Sequence, residues 1–439
     1  MADTTPDEAE MSGGAPQPRG SSEPKTIGER RLKPSTLMMG HGYDPALSEG
    51  SLKPPIFLTS TFVFPNAAAG KRHFEGVTGK RPGGAEGLVY SRFNGPNQEI
   101  LEDRLAIWED AEDALAFSSG MSAIATLFLS MVRPGDTIVH SGPLYAATET
   151  LIGRVLGRFG VHWLDFPAGA TREEIDAVMA KAASGRVALI YLESPANPTN
   201  ALVDVEAVAA SRDAIFTGAD KPPIAIDNTF LGPLWAQPLK QGADIVVYSL
   251  TKYAGGHSDL VAGGVLGTKA HINTIRTMRN TIGTICDPNT AWMLLRSLET
   301  LELRMSRAGE NAAKVCAWLR EHPKVERVGY LGFLAEEDSR QGDIYRRHCT
   351  GAGSTFSLLV KGGEAEAFRF LDALQIAKLA VSLGGTETLA SHPAAMTHLS
   401  VPEARRAALG ISDNLVRISI GVEDADDLIA DFEQALAMV

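Results

Sequence analysis

Between residues 87 and 300, short apolar runs alternate with segments long enough for helices, and no other feature of the chain constrains its fold as strongly. The runs are Ala114 to Phe117, TIVH at 137 to 140, VALIYL at 187 to 192, PIAID at 223 to 227, IVVY at 245 to 248 and VAGGVL at 261 to 266. Strands joined by helical crossovers lie parallel, and strands covered on both faces are apolar almost throughout. The expectation is an α/β fold: a mostly parallel sheet with helices on both faces.

Local spacing supports this. Ile100, Leu101, Leu105 and Trp108 recur at helical intervals before the first run, and Met121, Ile124, Ala125 and Phe128 do so after Ser118, Ser119 and Gly120. Beyond residue 300 helical periodicity dominates, with strand candidates at SLLV (357 to 360) and VRISI (416 to 420). The expected division is an N-terminal tail and intersubunit arm over 1–86, a large α/β domain over 87–300, and a smaller C-terminal α+β domain over 301–439. Roughly the first 35 residues, rich in Gly, Pro, Ser and acids, predict a mobile tail, with ordered chain from Leu37. GVTGKRPGGAEG at 76 to 87 reads as a loop able to reach another subunit.

The 439-residue chain carries 41 basic and 53 acidic side chains, a formal charge of −12, without a dense basic stripe, so nucleic acid is not an expected partner. No apolar run approaches membrane-spanning length, and the first residues lack signal-peptide order, so neither membrane nor export is expected. Cys286, Cys316 and Cys349 are odd in number and far apart, which suits a reducing, cytoplasmic setting. His257 and His392 lack a third spaced donor, and Ser258 reads as a turn residue, so no metal is expected. Glu109, Asp110 and Glu112 read as a solvated helix end.

In open α/β sheets, ligands bind beyond the carboxyl ends of the strands. Asp227, Ser249, Thr251, Lys252, Glu193, Asn197, Ser119 and Gly120 all follow predicted strands. Lys252 stands out, because apolar DIVVYS precedes it and YAGGHSD follows, leaving reactivity or phosphate contact as the use for a long amine. A lysine amine can form a Schiff base with a carbonyl, and pyridoxal phosphate is the common cofactor attached in this way. Asp227 suits the acid needed beside the pyridine nitrogen. SSGM at 118 to 121 opens a helix, so the amides of Gly120 and Met121 with Ser119 can meet a phosphate, helped by Ser249 and Thr251.

Taken together, DIVVYSLTKYAGGHSD at 244 to 259, YSR at 90 to 92, SSGM at 118 to 121, ESPANPT at 193 to 199 and DNT at 227 to 229 resemble the cysteine and methionine metabolism family of pyridoxal phosphate enzymes. The resemblance runs from about Leu37 to the C-terminus and implies fold type I. It also implies Lys252 as the attachment lysine and proton-transfer base, Asp227 as ring-nitrogen partner, and Tyr145 stacked over the cofactor and acting as acid to the leaving group. Asn197 would lie near the phenolic oxygen and Arg417 would pair with the substrate carboxylate, a task suited to two parallel donors. Ser382 and Val381 would border the substrate. Tyr90 and Arg92 would reach the phosphate of a neighbouring subunit, implying a homotetramer built from dimers that share sites.

The segment 380 to 398 is similar to the methionine γ-lyase group, since Val381 stands where cystathionine-directed members carry an acid and β-lyases an aromatic ring. Ala147 in YAAT and the stretch YSRFNGPNQ depart from that group's pattern. The expected reaction is γ-elimination from a sulfur-containing or related homoserine-derived amino acid, giving 2-oxobutanoate and ammonia. The alternatives are γ-replacement, as in cystathionine γ-synthase or O-acylhomoserine sulfhydrylase, then β-elimination, and more remotely an inactive oligomeric regulator.

Overall fold

The computed structural model describes residues 25–82, 87–218, 221–399 and 401–439. Seven strands form the large sheet: β1 (Asp113–Phe117), β2 (Thr137–Gly142), β3 (His162–Pro167), β4 (Val187–Glu193), β5 (Ile224–Asp227), β6 (Ile245–Ser249) and β7 (Gly263–Gly267). Their order is β1-β7-β6-β5-β4-β2-β3. Neighbours from β3 to β6 pair in parallel, whereas β7 runs antiparallel to both β6 and β1.

Alternation along the strands divides the core between two faces. Ala114, Ala116, Ile190, Leu192, Ile224, Ile226 and Val246 join one buried cluster. Leu115, Phe117, Leu189, Tyr191, Ala225, Ile245 and Val247 join another across the sheet. Burial on both faces explains why these strands read as continuous apolar runs. β3 escaped that reading because, at the sheet edge, most of HWLDFP is exposed.

A second sheet of five strands comprises β8 (Val325–Gly329), β9 (Thr355–Val360), β10 (Lys378–Leu379), β11 (Leu389–Ser391) and β12 (Leu415–Ser419), in the order β8-β9-β12-β11-β10. It has its own core of Phe356, Leu358, Phe370, Val416, Ile418 and Phe432. No helix among the described residues is long and apolar enough to cross a membrane.

Of the tail, residues 1–24 lie outside the described residues, as do 83–86 within the predicted loop. Structure begins before Leu37: Thr26–Ile27 pairs antiparallel with Arg30–Arg31, and Arg31 Nη2 donates to Asp110 Oδ1 at 2.5 Å. Leu32 N closes the hairpin on Lys25 O at 2.8 Å.

Glu109 also corrects the sequence reading. It ends helix α1 (Pro96–Glu109) but is fully buried, accepting hydrogen bonds from the Tyr248 hydroxyl and, at 3.1 Å, from Asn228 Nδ2. Burial pushes its acid up to about 7.

Candidate active site

Because β1, β2, β4, β5 and β6 point the same way, their carboxyl ends open on one edge of the sheet, where a cavity of about 340 Å³ lies. The small sheet closes the cavity's other side through Arg417 on β12 and the Val381–Ser382 turn.

Lys252 occupies the tight turn after β6, where its amide donates to Ser249 O at 3.1 Å and its carbonyl accepts from Gly256 N at 2.7 Å. Its Nζ donates to Ser382 Oγ at 2.9 Å. Burial, reinforced by the positive charge of Arg417, lowers the amine to about 8, while Asp227 acts in the opposite direction. Ser382 holds φ at +99°, a conformation that L side chains rarely adopt. The lysine contact and a bond of 2.8 Å from Arg417 Nη2 to the Ser382 carbonyl keep it there.

Asp227 ends β5 and is 9% exposed. Its Oδ1 accepts from Thr229 N at 3.0 Å and from Thr229 Oγ1 at 2.5 Å, and Thr229 Oγ1 accepts from Ser249 N at 2.9 Å. Thr229 thus fixes the carboxylate relative to the lysine strand. Burial raises the Asp227 acid, against the Thr229 bonds and the Lys252 charge.

On the third side, helix α2 (Gly120–Met131) aims its amino end into the cavity. Ser119 caps it: Ser119 Oγ accepts from Ser122 N, and Ser122 Oγ from Ser119 N, both at 2.9 Å. Packing at this junction is tight at Gly120 and requires glycine at 263. A Cβ on Gly120 would lie 3.1 Å from Ser249 Cβ, and one on Gly263 of β7 would lie 2.2 Å from Ser119 O. Ser249 and Thr251 line the adjoining wall.

Arg417 is 5% exposed, and its Nη1 donates to Asn197 Oδ1 at 3.1 Å. Burial lowers its guanidinium to about 10. Tyr145, 42% exposed, lines the cavity from the turn after β2. Val381 contributes an apolar wall.

The cavity therefore gathers Lys252, Asp227, Tyr145, Ser119, Gly120, Met121, Asn197, Ser249, Thr251, Arg417, Ser382 and Val381. Tyr90 and Arg92 do not line it; Arg92 lies over the Phe93 ring at 4.6 Å and donates to the Asn280 carbonyl. His257 Nδ1 and His392 Nε2 each meet a backbone carbonyl at 2.7 Å, of Gly255 and Asp413 respectively. Thr229 and Glu193, quoted within the DNT and ESPANPT motifs, were given no role of their own in the sequence reading, and neither were Phe230, Leu383 and Thr397, which also line the cavity.

The donor set fits pyridoxal phosphate. One strand end offers an amine held near neutrality, the next a buried carboxylate, and a third a helix start with hydroxyls suited to a phosphate dianion.

Comparison with known proteins agrees. The family model described as Cys/Met metabolism PLP-dependent enzyme matches residues 35–437. The chain is 39% identical over 406 residues to an L-methionine gamma-lyase of Pseudomonas deceptionensis, covering 92% of this chain and 96% of that one. It is 36% identical over 389 residues to an O-succinylhomoserine sulfhydrylase of Pseudomonas aeruginosa, covering 89% and 92%. The solved cystathionine gamma synthase of Xanthomonas oryzae pv. oryzae in complex with cystathionine superposes with a TM-score of 0.83 at 30% identity, covering 93% of this chain and 98% of that one. A matching family model over nearly the whole chain, the same topology and a cavity suited to the cofactor lead to one conclusion: the chain belongs to the Cys/Met metabolism family of pyridoxal phosphate-dependent enzymes and has its type I fold.

Proposed function

We propose that the cavity carries out γ-elimination on a sulfur-containing or related homoserine-derived amino acid, which with one water yields 2-oxobutanoate, ammonia and the departing thiol or equivalent group. The observation that carries the choice of substrate is Val381, an apolar residue lining the cavity beside Ser382, which offers no carboxylate to a distal ammonium. The 39% identity to a methionine gamma-lyase supports it.

Arg417 would orient the substrate by turning two parallel N–H donors of its guanidinium toward the α-carboxylate. Lys252, its amine lowered to about 8 by burial and the Arg417 charge, would take the Cα proton and return protons within the substrate. Bound pyridoxal phosphate supplies the electron sink for charge developing at the substrate carbons. Asp227 would keep the ring nitrogen protonated, Ser119, Gly120, Met121, Ser249 and Thr251 would hold the phosphate, and Asn197 would face the phenolic oxygen. Tyr145 would give a proton to the leaving sulfur or oxygen.

Tyr90 and Arg92, outside their own chain's cavity, would complete a neighbour's phosphate site in a homotetramer of site-sharing dimers. The unpaired cysteines accord with a cytoplasmic setting.

γ-Replacement is the second reading, favoured by the likeness to a sulfhydrylase and a cystathionine gamma synthase and by Ala147. Product analysis of the cofactor-loaded protein with methionine, O-succinylhomoserine or cystathionine, with and without a thiol, separates them. 2-Oxobutanoate formed without thiol supports elimination. A thioether formed only with thiol, and no oxo acid, replaces it with transfer; pyruvate would reassign the cavity to β-elimination.

A further inference from the structure

Glu193 ends β4, is 4% exposed and lines the cavity, yet forms no ion pair among the described residues. A buried carboxylate is costly unless its oxygens are bonded. Here both are spent on backbone amides from two different turns: Oε2 accepts from Tyr145 N at 2.6 Å, and Oε1 from Asn197 N at 3.1 Å. One turn presents the Tyr145 ring. The other presents Asn197, whose Oδ1 receives Arg417 Nη1 at 3.1 Å. The strand end is itself anchored, since Glu193 N donates to Ser141 Oγ at 3.0 Å, and Glu193 stands opposite Asp227 in the β4–β5 register.

We infer that Glu193 is a positioning residue, a two-armed clamp that sets where Tyr145 and the Asn197–Arg417 pair stand relative to Lys252 and Asp227. It acts through those groups and transfers no proton to substrate. The inference rests on the reading of this cavity as the cofactor and substrate site. Burial, together with the negative charge of Asp227, pushes the Glu193 acid upward, against the pull of the two amides.

The carboxylate's symmetry has a chemical consequence. Glutamine has one oxygen for one amide and turns a donor toward the other, whereas aspartate keeps both oxygens on a shorter stem. Neither reproduces two acceptors at this reach.

The test measures E193Q and E193D in the full, cofactor-loaded protein, alone and combined with Y145F or N197A. Four quantities are followed: borohydride trapping at Lys252, ellipticity in the cofactor absorption band, kcat and KM separately, and thermal melting. Expected is trapping at Lys252 with altered ellipticity, and a fall in kcat/KM on the order of 10²-fold, as for displaced catalytic groups. The kcat loss should shrink below about 3-fold in the Y145F background, and the KM rise should shrink likewise in N197A, because residues acting as one unit are non-additive. If E193Q does not fold, E193D carries the same comparisons. Equal losses in every background, or wild-type kinetics in E193D, would overturn the clamp while leaving the site reading intact. An unsubstituted protein whose trapped adduct maps away from Lys252 would overturn both.

Discussion

Arg417 and Asn197 meet at 3.1 Å although they are 220 residues apart, and their bond joins the centre of the small sheet to a strand end of the large one. The other arm of Arg417 holds the carbonyl of Ser382, whose hydroxyl receives Lys252. Replacing Arg417 by glutamine should therefore raise KM for the amino acid by about tenfold or more, the equivalent of a lost hydrogen bond to a charged group, about 1.5–3 kcal/mol. Lysine should not restore it, since one ammonium cannot span the two contacts. Steady-state kinetics with cofactor content measured alongside would decide, and an unchanged KM counts against the assignment.

The amine of Lys252 should titrate near 8 in the cofactor-free protein, well below surface lysines. Rates of amine labelling against pH, resolved by peptide, report it. Removing the Arg417 charge should move the midpoint up, and D227N should move it further down, because the two neighbours act with opposite sign. The unfolded chain binds its lysine proton up to about pH 10.4. Between pH 8 and that value the unfolded state holds more protons, so this group's contribution to stability rises with pH across the window.

Thr229 joins Asp227 to the Ser249 amide through a single hydroxyl. Substituting valine would leave the Ser249 amide without its acceptor and take one of two donors from Asp227 Oδ1, which keeps the residue 229 amide. A stability loss of about 1–3 kcal/mol is expected, along with weaker cofactor affinity in titration of the apoprotein. A melting curve and a binding isotherm matching wild type would remove Thr229 from the site.

Alanine at Gly263 should push the helix start away from the cavity. Its Cβ would lie 2.2 Å from a backbone oxygen, which no rotamer change can relieve. Destabilisation of about 1–3 kcal/mol is expected, with a larger loss of affinity for the phosphorylated cofactor than for pyridoxal. Parallel titrations with the two compounds check this, and equal losses would place the damage away from the phosphate.

The proposed sharing of Arg92 between subunits predicts complementation. Neither R92A nor K252A alone should be active, yet refolding an equal mixture should restore activity in about a quarter of the sites, because each mixed dimer holds one undamaged site. No recovery from well-folded mixed oligomers would confine each site to one chain.

The parts of this fold that could be read from residue order are those whose cause is local. β4, β5 and β6 are covered on both faces, so VALIYL, PIAID and IVVY announce themselves, and the fold class follows from their spacing. β3 lies at an edge, while β10 and β11 have two and three residues, too few for any period. Lys252 and Asp227 were legible because a charged group directly after an apolar strand is anomalous in itself. Glu193 was not, because its partners are backbone amides, which every residue but proline carries. Glu109 was misread for a related reason: Tyr248, which buries it, comes 139 residues later.

The cavity draws Lys252 and Asp227 from the middle of the chain but Ser382 and Arg417 from its final sixty residues. During synthesis the large sheet can form first, in keeping with the general order of domain folding. At that stage the lysine turn lacks the hydroxyl that receives its amine and the guanidinium that lowers its affinity for a proton. A chain that stops short of β12 lacks Arg417, so that charge no longer adds to burial in lowering the amine. Arg417 joins the cavity only once β12 pairs between β9 and β11, so the surroundings of the lysine depend on the small sheet being assembled.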